Sequence, residues 1–403
     1  MRILYADSVD DHAVVRLSAG GHSVEVHADL SADTLPAAIS GFEVLVVRST
    51  KVTAEAITSS EGLGLIVRAG AGTDNIDCAA ASARGIYVCN VPGRNAVAVA
   101  ELAMGLILAL DRRIPDNTAD LRDGRWDKKT YTAADGIFGK QIGIVGLGDI
   151  GLAVAERAKA FGMTVVAQRK ANRSDPALTA IRSIGIRLVD TQEELLASSD
   201  VVSIHVPKSD DTIAMVDDAF LGAMSDGAYL INTSRGDVVD EQALLRALDA
   251  GRIRAGLDVW NNEPGSGQDA FDSPLARHPG VVGTHHIGAS TDQAQRSIAE
   301  GTVETIESYF NGDPINCVNI RREPSGESCL TIRHLDRVGV LAQVFAVLRS
   351  HGLNVQQMQN QVFVGGQAAV ASIHVGTAPS EAAVAALSAI DEVLYVTTLP
   401  AVG

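Results

Sequence analysis

Short β-branched runs alternate with helix-patterned stretches through most of this chain, and that alternation, repeated in two series, narrows the fold more than any other feature. The first series is RILYA from Arg2, VLVV from Val44, LIVR from Leu65 and IYVCN from Ile86. The second is QIGIVGLG from Gln141, then TVVAQ, VVSIHVP, AYLINTS, IRAGLDV and VVGTHH. Apolar runs bounded by turn residues and separated by helical intervals are the signature of parallel strands joined by crossover helices. Each series therefore predicts an open, doubly wound α/β unit.

A long, largely buried helix is expected from Val97 to Arg112, ending before Pro115, and another from Thr291 to Phe310, stopped by NGDPIN. Because sheet connections are short, the second helix is expected to return to the first unit and make it discontinuous. RREPSGES then reads as a linker. Beyond it the pattern is strand Cys329 to Arg333, helix Gly339 to His351, strands Asn354 to Phe363 and Ala368 to His374, helix Glu381 to Ile390 and strand Val393 to Thr398. That order is the ferredoxin-like βαββαβ motif. The 403 residues thus divide into a domain from 1–97 and 290–320, a domain from 98–289 and a third from 327–403. The first two are Rossmann/flavodoxin-like α/β domains.

Acidic residues outnumber basic ones 49 to 33, a formal charge of −16, which disfavours nucleic acid and anionic membrane as partners. A small anionic ligand requires a dedicated basic pocket. The N-terminus lacks an apolar signal core, and the stretch from Val97 to Leu110 is interrupted by Glu101 and too short to span a bilayer, so a cytoplasmic location is expected. Cys78, Cys89, Cys317 and Cys329 are scattered without a C-x-x-C pair, which suggests neither a metal site nor a disulfide framework.

Gly146-Leu147-Gly148-Asp149-Ile150-Gly151 fits G-x-G-x-x-G, and it follows an apolar strand and opens an amphipathic helix. The glycines allow a tight turn and close approach of a pyrophosphate to the helix N-terminus, where Asp149 and Ile150 begin the helix. The next strand ends Gln168-Arg169-Lys170 with Arg173 nearby, and no carboxylate stands where NAD sites place one for the ribose hydroxyls. Arg169 and Lys170 suit a 2′-phosphate, so NADP is the favoured cofactor and NAD the alternative.

Three later strands end in reactive segments: Asn232-Thr233-Ser234-Arg235-Gly236, Leu257-Asp258-Val259-Trp260-Asn261-Asn262-Glu263-Pro264 and His285-His286-Ile287-Gly288. Ligands of open α/β sheets gather beyond the carboxyl ends of strands, so these groups converge. Hydride transfer to a 2-keto acid needs a cation for the carboxylate, a proton donor for the ketone oxygen and a group that tunes that donor. Arg235 supplies the fork, His286 the proton, and Glu263 the partner that raises the imidazole pKa and fixes its orientation. Singly, each has a plainer structural reading: an ion pair, a cap or turn, and a satisfied imidazole.

Together these segments resemble the D-2-hydroxyacid dehydrogenases, whose site carries an Arg, a Glu in an E-P pair and a His in an H-I-G motif in this order. The resemblance covers nearly the whole chain, including RAGAGTDNID from Arg68, NVPGRNAVAVAE from Asn90 and His205-Val206-Pro207. It implies that the discontinuous domain holds the substrate and residues 98–289 the dinucleotide. It further implies that main-chain N–H groups around Ala71 and Gly72 bind the substrate carboxylate. His205, Pro207, Thr233, Ser234, Asp258, Gly288 and Ala289 would line the cofactor, with Asp258 facing the nicotinamide carboxamide. His285 stands where the family usually has proline, and catalysis is assigned to His286 because it precedes Ile-Gly.

Arg48-Ser49-Thr50-Lys51 is similar to the family's phosphate-facing loop, one residue shorter, so Arg48, Ser49 and Lys51 are expected to bind a phosphate. Trp126-Asp127-Lys128 resembles a segment that reaches a neighbouring subunit's site, which would bring Lys128 into the anion pocket of a homodimer or homotetramer. The helix from Val97 fits either a dimer contact or an intradomain core. The C-terminal module resembles an ACT domain through HLDRVGVL from His334 and GLN from Gly352. By that resemblance His334, Asp336 and Asn354 would face an amino-acid effector such as serine, although Asp336 and Val338 replace the asparagine and proline of serine-inhibited relatives. The leading reading is NAD(P)-dependent oxidation of 3-phospho-D-glycerate to 3-phosphohydroxypyruvate, the entry to L-serine biosynthesis, with His286 as acid/base. A hydroxypyruvate or glyoxylate reductase and a non-enzymatic dinucleotide-sensing protein are the alternatives.

Overall fold

The strands of the first 319 residues pair in parallel throughout and form two sheets. The computed structural model describes residues 1–171, 173–264, 270–321 and 327–400. One sheet contains β1 (Arg2–Tyr5), β2 (Ser23–Val26), β3 (Val44–Val47), β4 (Leu65–Arg68) and β5 (Tyr87–Asn90), in spatial order β2-β1-β3-β4-β5. The other contains β6 (Gln141–Val145), β7 (Thr164–Gln168), β8 (Arg187–Val189), β9 (Val201–Ile204), β10 (Tyr229–Asn232), β11 (Arg254–Leu257) and β12 (Val281–Gly283), in order β12-β11-β10-β9-β6-β7-β8. Both orders reverse beside their first strand, at β1/β3 and at β6/β9, and such switch points leave a crevice at the strands' carboxyl ends. Central strands such as β3, VLVV, are buried at every position because helices cover both faces. The edge strands β2, SVEV, and β8, RLV, carry no long apolar run, so periodicity does not announce them.

Helix Ala96–Arg112 buries Ala103, Met104, Ile107 and Leu110 against the second sheet and helix Asp149–Ala160. Packing within the chain therefore accounts for its apolar character. Helix Asp292–Phe310 is capped by Thr291, whose hydroxyl accepts from Ala294 N at 3.2 Å, satisfying one of the free N–H groups of the first turn. It lies against helix Asp11–Ala19 and strands β4 and β5. Its Ala299, Val303 and Ile306 join Val67, Cys89 and Val91 in one core, so the layer over the first sheet is built from chain on both sides of the second.

Residues Ile320–Gly403 form a separate unit. Its strands β13 (Ser328–Leu335), β14 (Val355–Val362), β15 (Ala368–Val375) and β16 (Val393–Pro400) are antiparallel in order β14-β15-β13-β16, with helices Val340–Ser350 and Glu381–Ser388. This is the βαββαβ arrangement. Inward residues of β13 and β15, among them Leu330, Ile332 and Ile373, pack on Val344, Leu348 and Leu387 of the helices. Most of the linker segment, residues 322–326, lies outside the described residues. Among the described residues no helix is long and apolar enough to cross a membrane, and no group of three candidate metal ligands occurs.

Candidate active site

The turn after β6 needs two of its three glycines for internal reasons. Gly146 has φ +100°, and a Cβ there would stand 2.3 Å from the His205 carbonyl oxygen; one on Gly151 would stand 2.0 Å from the Gly146 oxygen. A Cβ on Gly148 would meet nothing within 4 Å. That open position caps helix Asp149–Ala160, where free N–H groups and the helix dipole favour an anion. After β7, the Arg169 Nε donates to Asp190 Oδ1 at 3.0 Å, and Arg173 donates to the Gln168 carbonyl at 2.9 Å. No carboxylate follows β7 in sequence, but the fold brings Asp190, after β8, beside Arg169. Both partners are largely exposed, so the pair is worth at most about 1 kcal/mol and is easily displaced.

The second sheet's loops hold a tightly bonded cluster. His286 Nδ1 lies 2.6 Å from Glu263 Oε2, and Glu263 Oε1 accepts from Trp260 N at 2.8 Å. Burial works to raise the Glu263 pKa, but the hydrogen bonds from His286 and Trp260 and the charges of His286 and Arg235 outweigh it, holding the carboxyl below its ordinary range. His286 adopts a left-handed backbone with φ 54°. That conformation costs a non-glycine residue about 1–2 kcal/mol. Buried Asp258 holds it there: its Oδ1 accepts from Thr284 Oγ1 and Ile287 N, its Oδ2 from Gly288 N, and its carbonyl from His286 N. Both Asp258 oxygens are thus engaged by the turn that carries the histidine, and its evident task is positioning. Asn232 organises the neighbouring loop, accepting from Ser234 N and Oγ and donating to the Arg235 carbonyl. Arg235 donates through Nε to Asp74 at 3.0 Å and through Nη1 to the Ser234 carbonyl at 2.7 Å, and its Nη2 lies against Gly72.

Of these groups, Arg235, Asp258, His286 and Gly288 line a cleft of about 430 Å³ with loops of the first sheet. Four buried polar atoms without a partner, Arg68 Nε, Asn95 Oδ1, His205 Nδ1 and Thr233 Oγ1, belong to residues on its wall. Buried polar atoms are nearly always satisfied, so four around one cleft fit a polar ligand. His205 Nε2 is paired with Ser203 Oγ at 2.8 Å, and burial pushes its pKa down to about 4, so the ring is neutral. Pro207, Ser234, Ile150, Gly288 and Ala289 share this wall.

On the opposite wall, Asn90 Nδ2 donates to the Ala71 carbonyl at 2.6 Å and fixes the Ala71–Gly72 loop. Arg68, at the end of β4, folds its guanidinium against Gly70, where φ is +144° and a Cβ would stand 1.6 Å from Nη1. Burial, then the positive charges of Arg235 and Arg48, push Arg68 down to about 10, since each disfavours its charged form. The charges of two further guanidiniums, on Arg235 and Arg48, are therefore felt at Arg68. Asp7 holds the Arg48 loop by accepting from the main-chain N–H of Arg48, Ser49 and Thr50. Arg48 lines a separate, smaller cavity, whereas Ser49, Lys51 and Lys128 are exposed and are not among the residues lining the cleft of their own chain.

A family model described as D-isomer specific 2-hydroxyacid dehydrogenase, NAD binding domain, matches residues 104–288. A hydroxypyruvate reductase from Thermotoga maritima is 40% identical over 312 residues, 77% of this chain and 97% of that one. The chain belongs to the D-isomer specific 2-hydroxyacid dehydrogenases. A D-3-phosphoglycerate dehydrogenase from Archaeoglobus fulgidus is 40% identical over 331 residues, 81% of this chain but 60% of the relative's length. The chain thus spans about three fifths of that longer relative. The structure of a D-lactate dehydrogenase from Aquifex aeolicus, complexed with NAD and lactic acid, superposes with a TM-score of 0.67 at 27% identity, covering 80% of this chain and all of that one.

For this family member, sequence reasoning missed Arg68, although the residue opens a segment that it singled out. That segment draws attention through the main-chain groups of Ala71 and Gly72, and burial of the arginine itself leaves no periodic signal. In the C-terminal unit, His334 is buried, with Nδ1 2.9 Å from the Leu335 carbonyl and Nε2 3.1 Å from Asn360 Oδ1. His334 thus sits buried between β13 and β14, close to polar atoms of both strands. Asp336 and Asn354 lie in the loops that follow β13 and precede β14, and Asn354 borders a shallow surface cavity with Phe345, Arg349 and Gly352.

Proposed function

We propose that this chain is an NAD(P)-dependent enzyme that oxidises 3-phospho-D-glycerate to 3-phosphohydroxypyruvate, the entry to L-serine biosynthesis. The observation that carries the reading is His286, bonded to Glu263, lining a cleft that Arg235 and Arg68 also line, with Arg48 near enough to act electrostatically on Arg68. A carboxylate and a phosphate on one small acid bring up to three negative charges, and three guanidiniums match them.

In this reading residues 1–97 and 290–320 hold the substrate, and 98–289 hold the dinucleotide. The cofactor fits the wall already described: open space at Gly148 beside a helix N-terminus for the pyrophosphate, and the unpartnered Thr233 and His205 atoms for polar groups of the nicotinamide half. When bound, the nicotinamide supplies the acceptor for the hydride lost from C2. Glu263 accepts from Nδ1–H of His286, which leaves the Nε2 lone pair to take the C2 hydroxyl proton. Arg235 Nη2 and the N–H groups of Ala71 and Gly72 hold the substrate carboxylate. Arg68 and Arg48 hold the phosphate.

NADP is the preferred cofactor in this proposal: its 2′-phosphate displaces the exposed Asp190 from Arg169 and adds Lys170. In the same reading the protein is cytoplasmic, Lys128 completes the site of a neighbour in a homo-oligomer, and the C-terminal unit binds serine at Asp336 and Asn354. Steady-state kinetics on phosphoglycerate, hydroxypyruvate, glyoxylate and lactate, with both cofactors and with added serine, test it. Highest kcat/KM on phosphoglycerate with NADP is expected. Preference for hydroxypyruvate would move the assignment to a reductase, as the Thermotoga relative's name suggests, and absence of turnover on all of them would leave a binding protein.

A further inference from the structure

Cys89 and Cys317 stand 228 residues apart in sequence, yet their Sγ atoms are 2.9 Å apart. They face each other in a short antiparallel bridge at the end of β5, where Asn90 N donates to the Asn316 carbonyl at 3.2 Å and Val318 N donates to the Val88 carbonyl at 2.8 Å. This bonding places the cysteines at a non-hydrogen-bonded position, where opposed Cα atoms are about 4.5 Å apart. Disulfides span Cα separations of about 4.4–6.8 Å. Asn316 adopts φ 55°, a left-handed conformation that asparagine tolerates, and so turns the chain into the bridge. Cys89 is 0% exposed whereas Cys317 is partly exposed. Neither thiol has a part in the hydride-transfer chemistry proposed above.

We propose that Cys89 and Cys317 form an oxidative modification site, in which a peroxide oxidises Cys317 and Cys89 resolves the product to an intramolecular disulfide. The Cys317 thiolate attacks one oxygen of hydrogen peroxide and the O–O bond breaks. This gives a sulfenic acid and hydroxide, which leaves as water with the proton the thiol gave up. The Cys89 thiol then attacks the sulfenic sulfur, the S–O bond breaks and a second water leaves. Two thiols lose two protons and two electrons, and one peroxide becomes two waters. Access sets the order, because only Cys317 reaches solvent. Burial, which raises the Cys89 pKa, disfavours the buried thiol as first nucleophile. The product ties β5 to the segment that follows helix Asp292–Phe310, and residues beside both cysteines, Asn90 and Val318, line the cleft. Oxidation is thus written into the wall of the active site.

The test treats the reduced full-length chain with hydrogen peroxide, alkylates it after unfolding, and maps peptides by mass spectrometry without reductant. A single Cys89–Cys317 cross-link is expected, with Cys78 and Cys329 alkylated, together with a rise in unfolding temperature of about 5 °C or more that dithiothreitol reverses. In C89A, Cys317 should accumulate as a dimedone-trapped sulfenic acid; in C317S, Cys89 should stay reduced and the temperature shift disappear. Four free thiols after peroxide treatment, a cross-link between two chains through Cys317, or oxidation of Cys89 in C317S would each overturn the proposal.

Discussion

Loops of the second sheet and loops of the first meet at one cleft, each pinned by side chains bonded to its main chain, but they present their polar groups in different ways. On the second sheet, buried Asp258 accepts from the turn that holds His286 in a backbone conformation it would not choose, and buried Asn232 ties the Ser234–Arg235 loop. On the first sheet, the Asp7 carboxylate accepts from loop N–H groups and the Asn90 amide donates to the Ala71 carbonyl, while the Arg68 guanidinium Nε remains without a partner. The contrast separates two tasks. Proton transfer tolerates little misplacement and rests on a rigid turn, whereas recognition of a compact anion depends on charge carried by long side chains.

Removing the proposed proton carrier should have the largest effect. His286→Asn is expected to lower kcat about 1,000-fold, roughly 4 kcal/mol of barrier, with KM little changed. Asparagine accepts the left-handed backbone, so the unfolding temperature should stay within about 1 °C of wild type. A matching collapse in stability would mean that the histidine is part of the scaffold and would dissolve the distinction between turn and reacting group.

Asp258→Ala should do the reverse. It strands the Ile287 and Gly288 N–H groups and the Thr284 hydroxyl, for a loss of about 3 kcal/mol and roughly 10 °C in thermal unfolding. Calorimetry of the purified variant checks this, and an unchanged transition would show that the turn keeps its shape by other contacts. Next in size, Arg68→Ala should raise KM for a phosphorylated 2-hydroxy acid about 30-fold and for an unphosphorylated one less than about threefold, roughly 2 kcal/mol of selective binding. Equal losses on both substrates would place Arg68 in the loop's framework instead of the anion site.

Acid should expose a difference in stability that turnover at neutral pH does not report. The His205 imidazole is pushed to about 4 by burial, whereas in the unfolded chain it titrates near its usual value of about 6.5. The unfolded chain therefore binds a proton that the folded one refuses. Stability present above about pH 6.5 is lost progressively as pH falls toward about 4. His205→Gln should flatten that part of the pH–stability curve, as followed by denaturant midpoints, and an unaltered slope would remove His205 as its source.

The chemistry of the cleft was legible where a motif is contiguous. Strand-glycine-helix punctuation marks Gly146 to Gly151, and the Arg, Glu-Pro and His-Ile-Gly segments each sit at a strand end. What remained hidden depends on distance in sequence. Asp190 reaches Arg169 only because β8 lies beside β7, and Cys317 reaches Cys89 only after helix Asp292–Phe310 returns to the first sheet. His334, too, looks like a contact residue in sequence, but the pairing of β13 and β14 around β15 turns it inward. Nor could composition reveal that the Arg68 Nε is buried without a partner.

The returning helix also sets a schedule for synthesis. Val67, Cys89 and Val91 share a core with Ala299, Val303 and Ile306, which leave the ribosome only after the whole second sheet has been made. At typical synthesis rates that delay is on the order of 10–40 s. During that interval the second sheet, uninterrupted in sequence, can close, while one face of the first stays wet. A nascent chain stalled anywhere between these segments presents that apolar face to the cell, and chaperone capture of such chains should end once Phe310 has emerged.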